Sequence, residues 1–289
     1  MSAIGYLGVG AAALAVARWW YPREVERESA ARFPVGADGI IAGARPIMLE
    51  GAGPRGILVL HGFGDTPQSV ESLAHALHAG GETVYAPLLA GHGRTLADFA
   101  ASSGEAWLAG AREALQLLRG RCSHLAVVGQ SLGGVLATLV VTESTDITAL
   151  ALLAPYLEMP RFARRLTPFA TPLELALPYL VTADERSIHD ADARAHSLSF
   201  GTTTPRLTRE LMRMADRARA ALPEITVPTL YIQARKDNRI ESAVAERSFE
   251  SLGAREKRLV WLDRGGHVVA ADEERDEVAR LVREWFAAL

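Results

Sequence analysis

Short apolar runs alternate with amphipathic stretches along most of the chain. Runs of about four apolar residues, many of them β-branched, are typical of buried strands. Between these runs, apolar side chains recur at the three- and four-residue spacing that indicates helices. The predicted strands are 57–60, 83–86, 125–128, 149–153, 229–232 and 259–262, and the predicted helices are 67–79, 104–119, 132–141, 240–252 and 272–287. This alternation predicts an α/β fold, in which a mostly parallel sheet carries helices on both faces.

One stretch, from residue 157 to residue 222, interrupts the alternation. It holds five prolines before residue 206 and an apolar cluster over residues 173–180, but no clear strand pattern. We predict that residues 157–222 form a small, mainly helical cap, inserted into an α/β core made of residues 40–156 and 223–289. Ordinary helices that cover the sheet are the alternative interpretation.

The N-terminus is the most apolar part of the chain. Residues 2–17 carry no charge, and Arg18 and the aromatic residues 19–21 follow them. A helix needs roughly 17–25 residues to span a bilayer, so this run is at the short end of that range. Because aromatic and basic residues suit the membrane interface, we predict that residues 1–22 are a membrane anchor and that residues 3–21 associate with the membrane.

The charges around this segment predict its orientation. Basic residues follow the apolar run and none precedes it, so the positive-inside rule places the main domain in the cytoplasm. Two alternatives stay open. The run could be a signal peptide cleaved after residues 15–17, which would give a secreted protein, or an apolar helix packed on a soluble cytoplasmic domain.

Composition narrows the possible classes of function. The chain has 289 residues, a net charge of -3, 49% hydrophobic residues and 22% charged residues, which is typical of a soluble globular protein. These values exclude a disordered chain and a multi-span transporter. The lack of excess Lys and Arg argues against nucleic-acid binding. Cys122 is the single cysteine, which excludes an intrachain disulfide and a cysteine-rich metal site.

A G-x-S-x-G motif joins a predicted strand to a predicted helix. The residues are Gly129-Gln130-Ser131-Leu132-Gly133. A serine on this strand-to-helix turn has a strained backbone, and its neighbours must be small to avoid clashes. The motif predicts that Ser131 is a catalytic nucleophile, whereas a tight glycine turn without chemistry is the alternative.

A nucleophilic serine needs a base to take its proton and an acid to orient that base. His267 lies in a glycine loop between the last predicted strand and the last helix, and Asp237 follows the preceding strand. The order Ser131, Asp237, His267 is the one expected when a triad is built on this architecture. Asp263 is a rival acid, but it lies at the end of the strand that carries the histidine.

Backbone donors are needed where negative charge develops during acyl transfer. The glycine-rich stretch 60–64 follows an early strand, and we predict that the N–H groups of Phe63 and Leu132 form an oxyanion hole. In the same stretch, His61 is interpreted as a structural hydrogen-bonding residue. His75 and His78 are three residues apart on a predicted helix, and no metal site is predicted there.

These motifs together resemble the carboxylesterase and monoacylglycerol lipase group of the α/β-hydrolase superfamily. The matching segments are 58–74, 85–93, 127–137, 232–238 and 265–269. By this resemblance, Ser131, Asp237 and His267 match the family triad, and Phe63 and Leu132 match its oxyanion hole. The resemblance also implies an α/β-hydrolase fold with a small helical cap, one acyl chain bound beneath it, and no cofactor. The chain departs from soluble family members in its apolar N-terminus.

The resulting functional prediction is a serine hydrolase of carboxylic esters that works through an acyl-enzyme. The apolar run 173–180 favours a small-molecule substrate, either a short-to-medium acyl ester or a monoacylglycerol, and no nucleic acid is expected to bind. Four alternatives stay open: an acyltransferase or a thioesterase that uses the same triad, a peptidase of the same fold, and a membrane-tethered binding protein without catalysis. The sequence predicts no oligomeric state.

Overall fold

A seven-stranded sheet forms the centre of the protein in the computed structural model. The structure describes residues 3–159, 164–165 and 167–288, and it describes only the backbone of residues 3–17, 167 and 176. The strands are β1 (Ile47–Leu49), β2 (Arg55–Leu60), β3 (Thr83–Ala86), β4 (His124–Gln130), β5 (Ile147–Leu153), β6 (Leu180–Val181), β7 (Thr202–Thr203), β8 (Thr229–Ala234) and β9 (Lys257–Leu262). Of these, β6 and β7 pair as a separate ribbon.

The sheet is parallel except at one edge. Its strand order is β1-β3-β2-β4-β5-β8-β9, and only β1 runs antiparallel to its neighbour. Parallel strands joined by helical crossovers bury both faces of a sheet. The carboxyl ends of β2, β4, β8 and β9 therefore lie along one edge, where ligands bind in open α/β sheets.

Helices cover both faces of the sheet, so the predicted α/β class is confirmed. The helices are α1 (Ala3–Arg32), α2 (Glu71–His78), α3 (Leu96–Ala101), α4 (Gly104–Arg119), α5 (Leu132–Thr142), α6 (Ala170–Ala176), α7 (Ala191–His196), α8 (Pro205–Ala221), α9 (Ser242–Ser251) and α10 (Arg275–Ala287). One face packs against α2 and α10, and the other packs against α4, α5 and α8. Alternate residues of β2 show both contacts, since Leu58 and Leu60 join one core and Ile57 and Val59 join the other.

The chain makes a long excursion between β5 and β8, which are neighbours in the sheet. We call this segment, residues 154–228, the excursion, and it includes α6, the β6-β7 ribbon, α7 and α8. Its last helix, α8, buries Leu207, Leu211 and Met214 in the main core, as a sheet-covering helix does. The predicted cap over 157–222 thus contains two short strands and one core-packed helix. The division into core and cap stays a prediction, and residues 160–163 and 166 lie outside the described part of the chain.

The N-terminal helix α1 continues past Pro22 and docks its second half on the domain. Tyr21 and Val25 pack against the core. The Tyr21 hydroxyl donates to the Tyr179 carbonyl oxygen at 3.1 Å, and the Tyr179 hydroxyl donates to the Glu26 carboxylate at 2.7 Å. Within the described residues, no helix is both long enough and apolar enough to cross a membrane. The membrane-spanning anchor predicted over residues 1–22 is therefore not confirmed, and the side chains of its apolar run lie outside the described part.

Candidate active site

Ser131 lies on a sharp turn between β4 and α5. Its backbone has φ 54° and ψ −114°, a conformation that side-chain-bearing residues rarely adopt. The two glycines of the motif make this turn possible. A Cβ at Gly129 would overlap the Gly133 carbonyl oxygen, and a Cβ at Gly133 would overlap the Leu60 carbonyl oxygen. The turn is held by a hydrogen bond of 2.9 Å from the Ser131 N–H to the Leu153 carbonyl oxygen.

Three of the predicted site residues form one hydrogen-bond chain. The distance from Ser131 Oγ to His267 Nε2 is 2.8 Å, and the distance from His267 Nδ1 to Asp237 Oδ2 is also 2.8 Å. With a neutral imidazole protonated at Nδ1, the ring donates to the carboxylate and accepts the serine proton. The strand ends of β4, β8 and β9 thus bring together side chains that are far apart in sequence.

The Asp237 carboxylate is buried but well supplied with donors. Gln233 Nε2 donates to Oδ2 at 2.6 Å, and the N–H groups of Arg239 and Ile240 donate to Oδ1 at 2.7 and 2.9 Å. Burial alone would raise the pKa of Asp237. The charge of His267, its hydrogen bond and the two backbone donors outweigh burial, so the pKa is lowered from its ordinary value. Asp237 therefore stays ionised and can orient the imidazole.

The structure separates the rival acid from the histidine. Asp263 is exposed over 77% of its side chain and pairs with Arg235 at 3.1 Å. The aspartates of the excursion are also engaged elsewhere. Asp184 pairs with Arg186, and Asp216 pairs with Arg219.

Of the two predicted oxyanion-hole residues, Leu132 directly follows Ser131, and Phe63 lines the same cavity as Ser131. Leu132 begins α5, where N–H groups have no partner inside the helix. Nearby, His61 bonds the Gly62 carbonyl oxygen through Nδ1 at 2.9 Å and accepts the Leu89 N–H at Nε2. Burial lowers the pKa of His61 well below its ordinary value, so it is a neutral structural residue.

Further side chains shape the site although no sequence pattern assigns them a role. The Gln130 amide oxygen accepts the Ala270 N–H at 2.9 Å and so ties the turn before Ser131 to the loop after His267. The Tyr156 ring stands edge-on to the His267 ring at 6.4 Å, and burial raises the pKa of Tyr156 to about 12. Asp65 is a carboxyl group on the cavity wall. Tyr156 and Asp65 lie in loops, where no periodic pattern marks them, and Gln130 is the last residue of β4.

A cavity of about 600 Å³ opens in front of Ser131 and His267. Apolar side chains from the excursion and the core line part of it, namely Met159, Ile188, Leu211 and Val268. The apolar run 173–180 favoured an apolar substrate in the sequence, but none of its residues whose side chains the structure describes lines the cavity. Instead, Leu175 and Leu177 are exposed on the outside of the protein. The apolar lining of the cavity therefore comes from other residues than the predicted ones.

Comparisons with known proteins find a family model, relatives and solved structures that match most of the chain. A family model described as serine aminopeptidase, S33, matches residues 53–274. A thermostable monoacylglycerol lipase of Bacillus sp. (strain H-257) is 27% identical over 248 residues, which cover 86% of this chain and 96% of the relative. A carboxylesterase of Bacillus subtilis (strain 168) is 25% identical over 256 residues, covering 85% and 97%. Among solved structures, a chain from a study of the metagenome-derived lipolytic enzymes LipS and LipT has a TM-score of 0.80 and 26% identity, covering 86% of this chain and 100% of that one.

Proposed function

The chain belongs to the family described as serine aminopeptidase, S33, within the α/β-hydrolase superfamily, and from this membership we propose that it hydrolyses carboxylic esters through Ser131. The observation that carries the proposal is the hydrogen-bond chain from Ser131 through His267 to Asp237 at the wall of a cavity. Two relatives that match most of the chain are named monoacylglycerol lipase and carboxylesterase, which supports an ester substrate.

The first half of the reaction forms an acyl-enzyme. His267 Nε2 takes the proton of Ser131 Oγ as the oxygen attacks the ester carbonyl carbon, and the carbonyl oxygen becomes an oxyanion. The Asp237 carboxylate stabilises the imidazolium that results. When the tetrahedral intermediate collapses, the bond to the alcohol oxygen breaks and His267 returns the proton to that oxygen.

Backbone donors stabilise the oxyanion. The N–H groups of Phe63 and Leu132 supply the hydrogen bonds, and each is worth roughly 3 kcal/mol of the barrier. Water then repeats the sequence, because His267 removes its proton as it attacks the acyl-enzyme. The products are a carboxylic acid and the free enzyme.

The substrate class follows from the cavity. Its apolar residues suit one acyl chain, and its hydroxyl-bearing residues, such as Ser197, Ser199 and Thr203, suit a polar alcohol portion. A short-to-medium acyl ester or a monoacylglycerol has both parts. The names of the relatives are consistent with this class.

A peptidase is the second candidate, and one feature of the cavity favours it. Asp65, Asp184 and Glu185 place three carboxyl groups on the wall, where they could attract a free amino group. Cleavage of aminoacyl anilides distinguishes this activity from ester hydrolysis.

An ester panel tests the proposal. The wild-type protein and the Ser131→Ala variant are assayed on p-nitrophenyl esters of increasing chain length, on monoacylglycerols and on aminoacyl p-nitroanilides. We expect ester turnover that falls by about a thousandfold or more in the variant, since only the oxyanion hole and substrate binding remain. Unchanged turnover in Ser131→Ala would overturn the assignment. Turnover of the anilides in preference to the esters would favour the peptidase.

We also propose that the N-terminal segment brings the protein to a membrane surface, with the catalytic domain on the cytoplasmic side. The uncharged run 2–17 precedes two exposed aromatic residues, Trp19 (61% exposed) and Trp20 (55%). Arg18 donates to the Leu175 carbonyl oxygen, so α1 lies beside the exposed apolar side chains of the excursion. These side chains are Phe169, Leu175, Leu177 and Val181. Aromatic, aliphatic and basic side chains grouped in this way suit a lipid interface.

A further inference from the structure

A second buried carboxylate lies next to the site but takes no part in the mechanism above. Asp272, on the loop between His267 and α10, is fully buried. Its oxygens accept four backbone N–H groups. Gly266 donates to Oδ2 at 2.6 Å, Asp190 and Glu273 each donate to Oδ1 at 2.8 Å, and His189 donates to both oxygens at 2.9 and 3.0 Å.

These donors belong to two separate parts of the chain. Gly266 immediately precedes His267, whereas His189 and Asp190 lie in the excursion between β5 and β8. Asp272 therefore joins the loop that carries the histidine to the segment that covers it. A carboxylate that accepts several backbone N–H groups is held in one orientation, and so are the groups that donate to it.

Other contacts place the same two segments against each other. The Val268 N–H donates to the Ser187 carbonyl oxygen at 3.0 Å, and the His189 ring bonds the Arg264 carbonyl oxygen at 2.7 Å. A Cβ at Gly266 would overlap the Arg186 carbonyl oxygen, so the two backbones touch at that point. Residues on both sides of His267 thus contact residues 186–190.

We propose that Asp272 is a positioning residue, which fixes His267 for catalysis by clamping the histidine loop to residues 186–190 of the excursion. The proposal rests on the function proposed above, because it gives Asp272 no role apart from the imidazole. The expected effect on the rate is large because proton transfer depends on the distance between His267 and Ser131. A displacement of about 1 Å in a reacting group can cost roughly a hundredfold in rate.

Glu274 offers a matched control in the same loop. Its carboxylate also accepts backbone N–H groups, from Arg264 at 2.8 Å and from Gly265 at 3.0 Å, but among the described residues it accepts none from the excursion. The substitution Asp272→Asn keeps the side-chain volume and turns one acceptor oxygen into an NH2 group that faces an N–H donor. Glu274→Gln makes the same chemical change away from the clamp.

The test compares wild type, Asp272→Asn, Glu274→Gln and Ser131→Ala. Measurements are kcat and KM on a short p-nitrophenyl ester, the rate at which a small fluorophosphonate labels Ser131, and cleavage of residues 185–190 by protease. For Asp272→Asn we expect kcat and the labelling rate to fall by about a hundredfold, KM to change less than about threefold, and proteolysis to increase. For Glu274→Gln we expect changes of less than about threefold in all of these.

Several results would overturn the proposal. The first is an unchanged kcat in folded Asp272→Asn, and the second is a higher KM in that variant without a lower kcat. The third is an equal fall of kcat in Glu274→Gln, which would indicate general loosening of the loop. If Asp272→Asn does not fold, His189→Ala replaces it, because that change removes only a ring and its bond to Arg264. A kcat lowered about threefold supports the clamp and an unchanged kcat overturns it. If wild type hydrolyses no ester, the proposed function fails separately, and the labelling rates still compare the variants.

Discussion

Ser131 combines reactivity with a backbone conformation that costs free energy. A positive φ at a residue with a side chain costs on the order of 1–3 kcal/mol, and such residues cluster at functional sites. Here the surroundings maintain the conformation. The Ser131 carbonyl oxygen accepts N–H groups from Gly134 at 3.0 Å and Tyr156 at 3.1 Å, while its own N–H is bonded to the Leu153 oxygen. The turn exposes the hydroxyl group to the cavity and to His267.

Asp65 is a residue whose charge the fold disfavours. It is only 6% exposed, and burial raises its pKa from the ordinary 3.8 to about 6, against the opposing hydrogen bonds from Ser69 and the Thr66 N–H and the charge of His267. In the unfolded chain the carboxyl group ionises near pH 4. The folded protein therefore holds this proton more tightly between about pH 4 and pH 6, and the stabilisation is lost as the pH rises through 6.

This shift predicts that Asp65→Asn stabilises the protein more at high pH than at low pH. A shift of about two pKa units changes the free energy of unfolding by about 3 kcal/mol over the whole titration. Roughly half of this change occurs between pH 5 and pH 8. The amide keeps an oxygen that can accept the Thr66 N–H, which the carboxylate accepts at 2.8 Å. The free energy of unfolding of both proteins is measured in urea at the two pH values. An equal difference between variant and wild type at both would contradict the prediction.

At the scale of elements, the sequence predicted best where local pattern and buried position agree. The strand at 83–86 and the helix at 104–119 have the predicted bounds, and the predicted strand before Ser131 and the helix after it are both present. Within the excursion, the two-residue strands β6 and β7 were missed. Outside it, two elements were missed, β1 and α3. The first is only three residues long and its pairing with β3 is not local, and the second is a six-residue helix too short to show a period.

The site residues likewise divide into those with a local sequence pattern and those without one. Ser131, His267 and Asp237 could be predicted because each follows a predicted strand, and the ends of parallel strands lie along one edge of the sheet. Asp272 and Asp65 could not, since a single aspartate in a loop has no pattern that distinguishes it from a solvated one. Their importance comes from burial and from partners such as His189, which is 83 residues away from Asp272 in the chain.

Two glycines in helices differ in the space around them. Gly133 lies in α5, where a Cβ would overlap the backbone of Leu60, and Gly110 lies in α4 with no atom within 4 Å of the corresponding Cβ. We expect Gly133→Ala to lower the free energy of unfolding by about 2 kcal/mol or more and to reduce ester turnover, because β2 and the turn at Ser131 must move apart.

Gly110→Ala serves as its control. This change should raise the free energy of unfolding by about 0.5–1 kcal/mol, because alanine restricts the unfolded chain and favours helix. Denaturation curves and ester assays on both variants make the comparison. A Gly133→Ala protein with wild-type stability and turnover would show that the close approach of α5 to β2 is not needed.

At the scale of the whole molecule, α1 connects the apolar N-terminus to the covering of the active site. Its second half bonds to Tyr179, which belongs to the excursion between β5 and β8. The excursion in turn contacts the loops of His267 and Asp237, since Ser187 Oγ donates to Asn238 at 3.2 Å and its carbonyl oxygen accepts the Val268 N–H. A membrane surface that contacts α1 and the exposed side chains of the excursion would thus contact the same segment of chain that lines the cavity.

This arrangement predicts that the chain binds lipid through its N-terminal segment while the folded domain works without it. Full-length protein and a chain that begins at Arg18 are compared by flotation with anionic phospholipid vesicles and by turnover of a soluble ester. The shorter chain keeps Tyr21 and Glu26, which make the contacts with Tyr179, so its ester turnover should stay within about twofold of the full-length value. Its vesicle binding should fall by about tenfold or more, because binding grows with the apolar area that enters the interface.

Equal flotation of the two chains would contradict the membrane role. Loss of soluble-ester turnover in the shorter chain would show instead that the segment packs on the domain, which is the alternative interpretation of its apolar sequence.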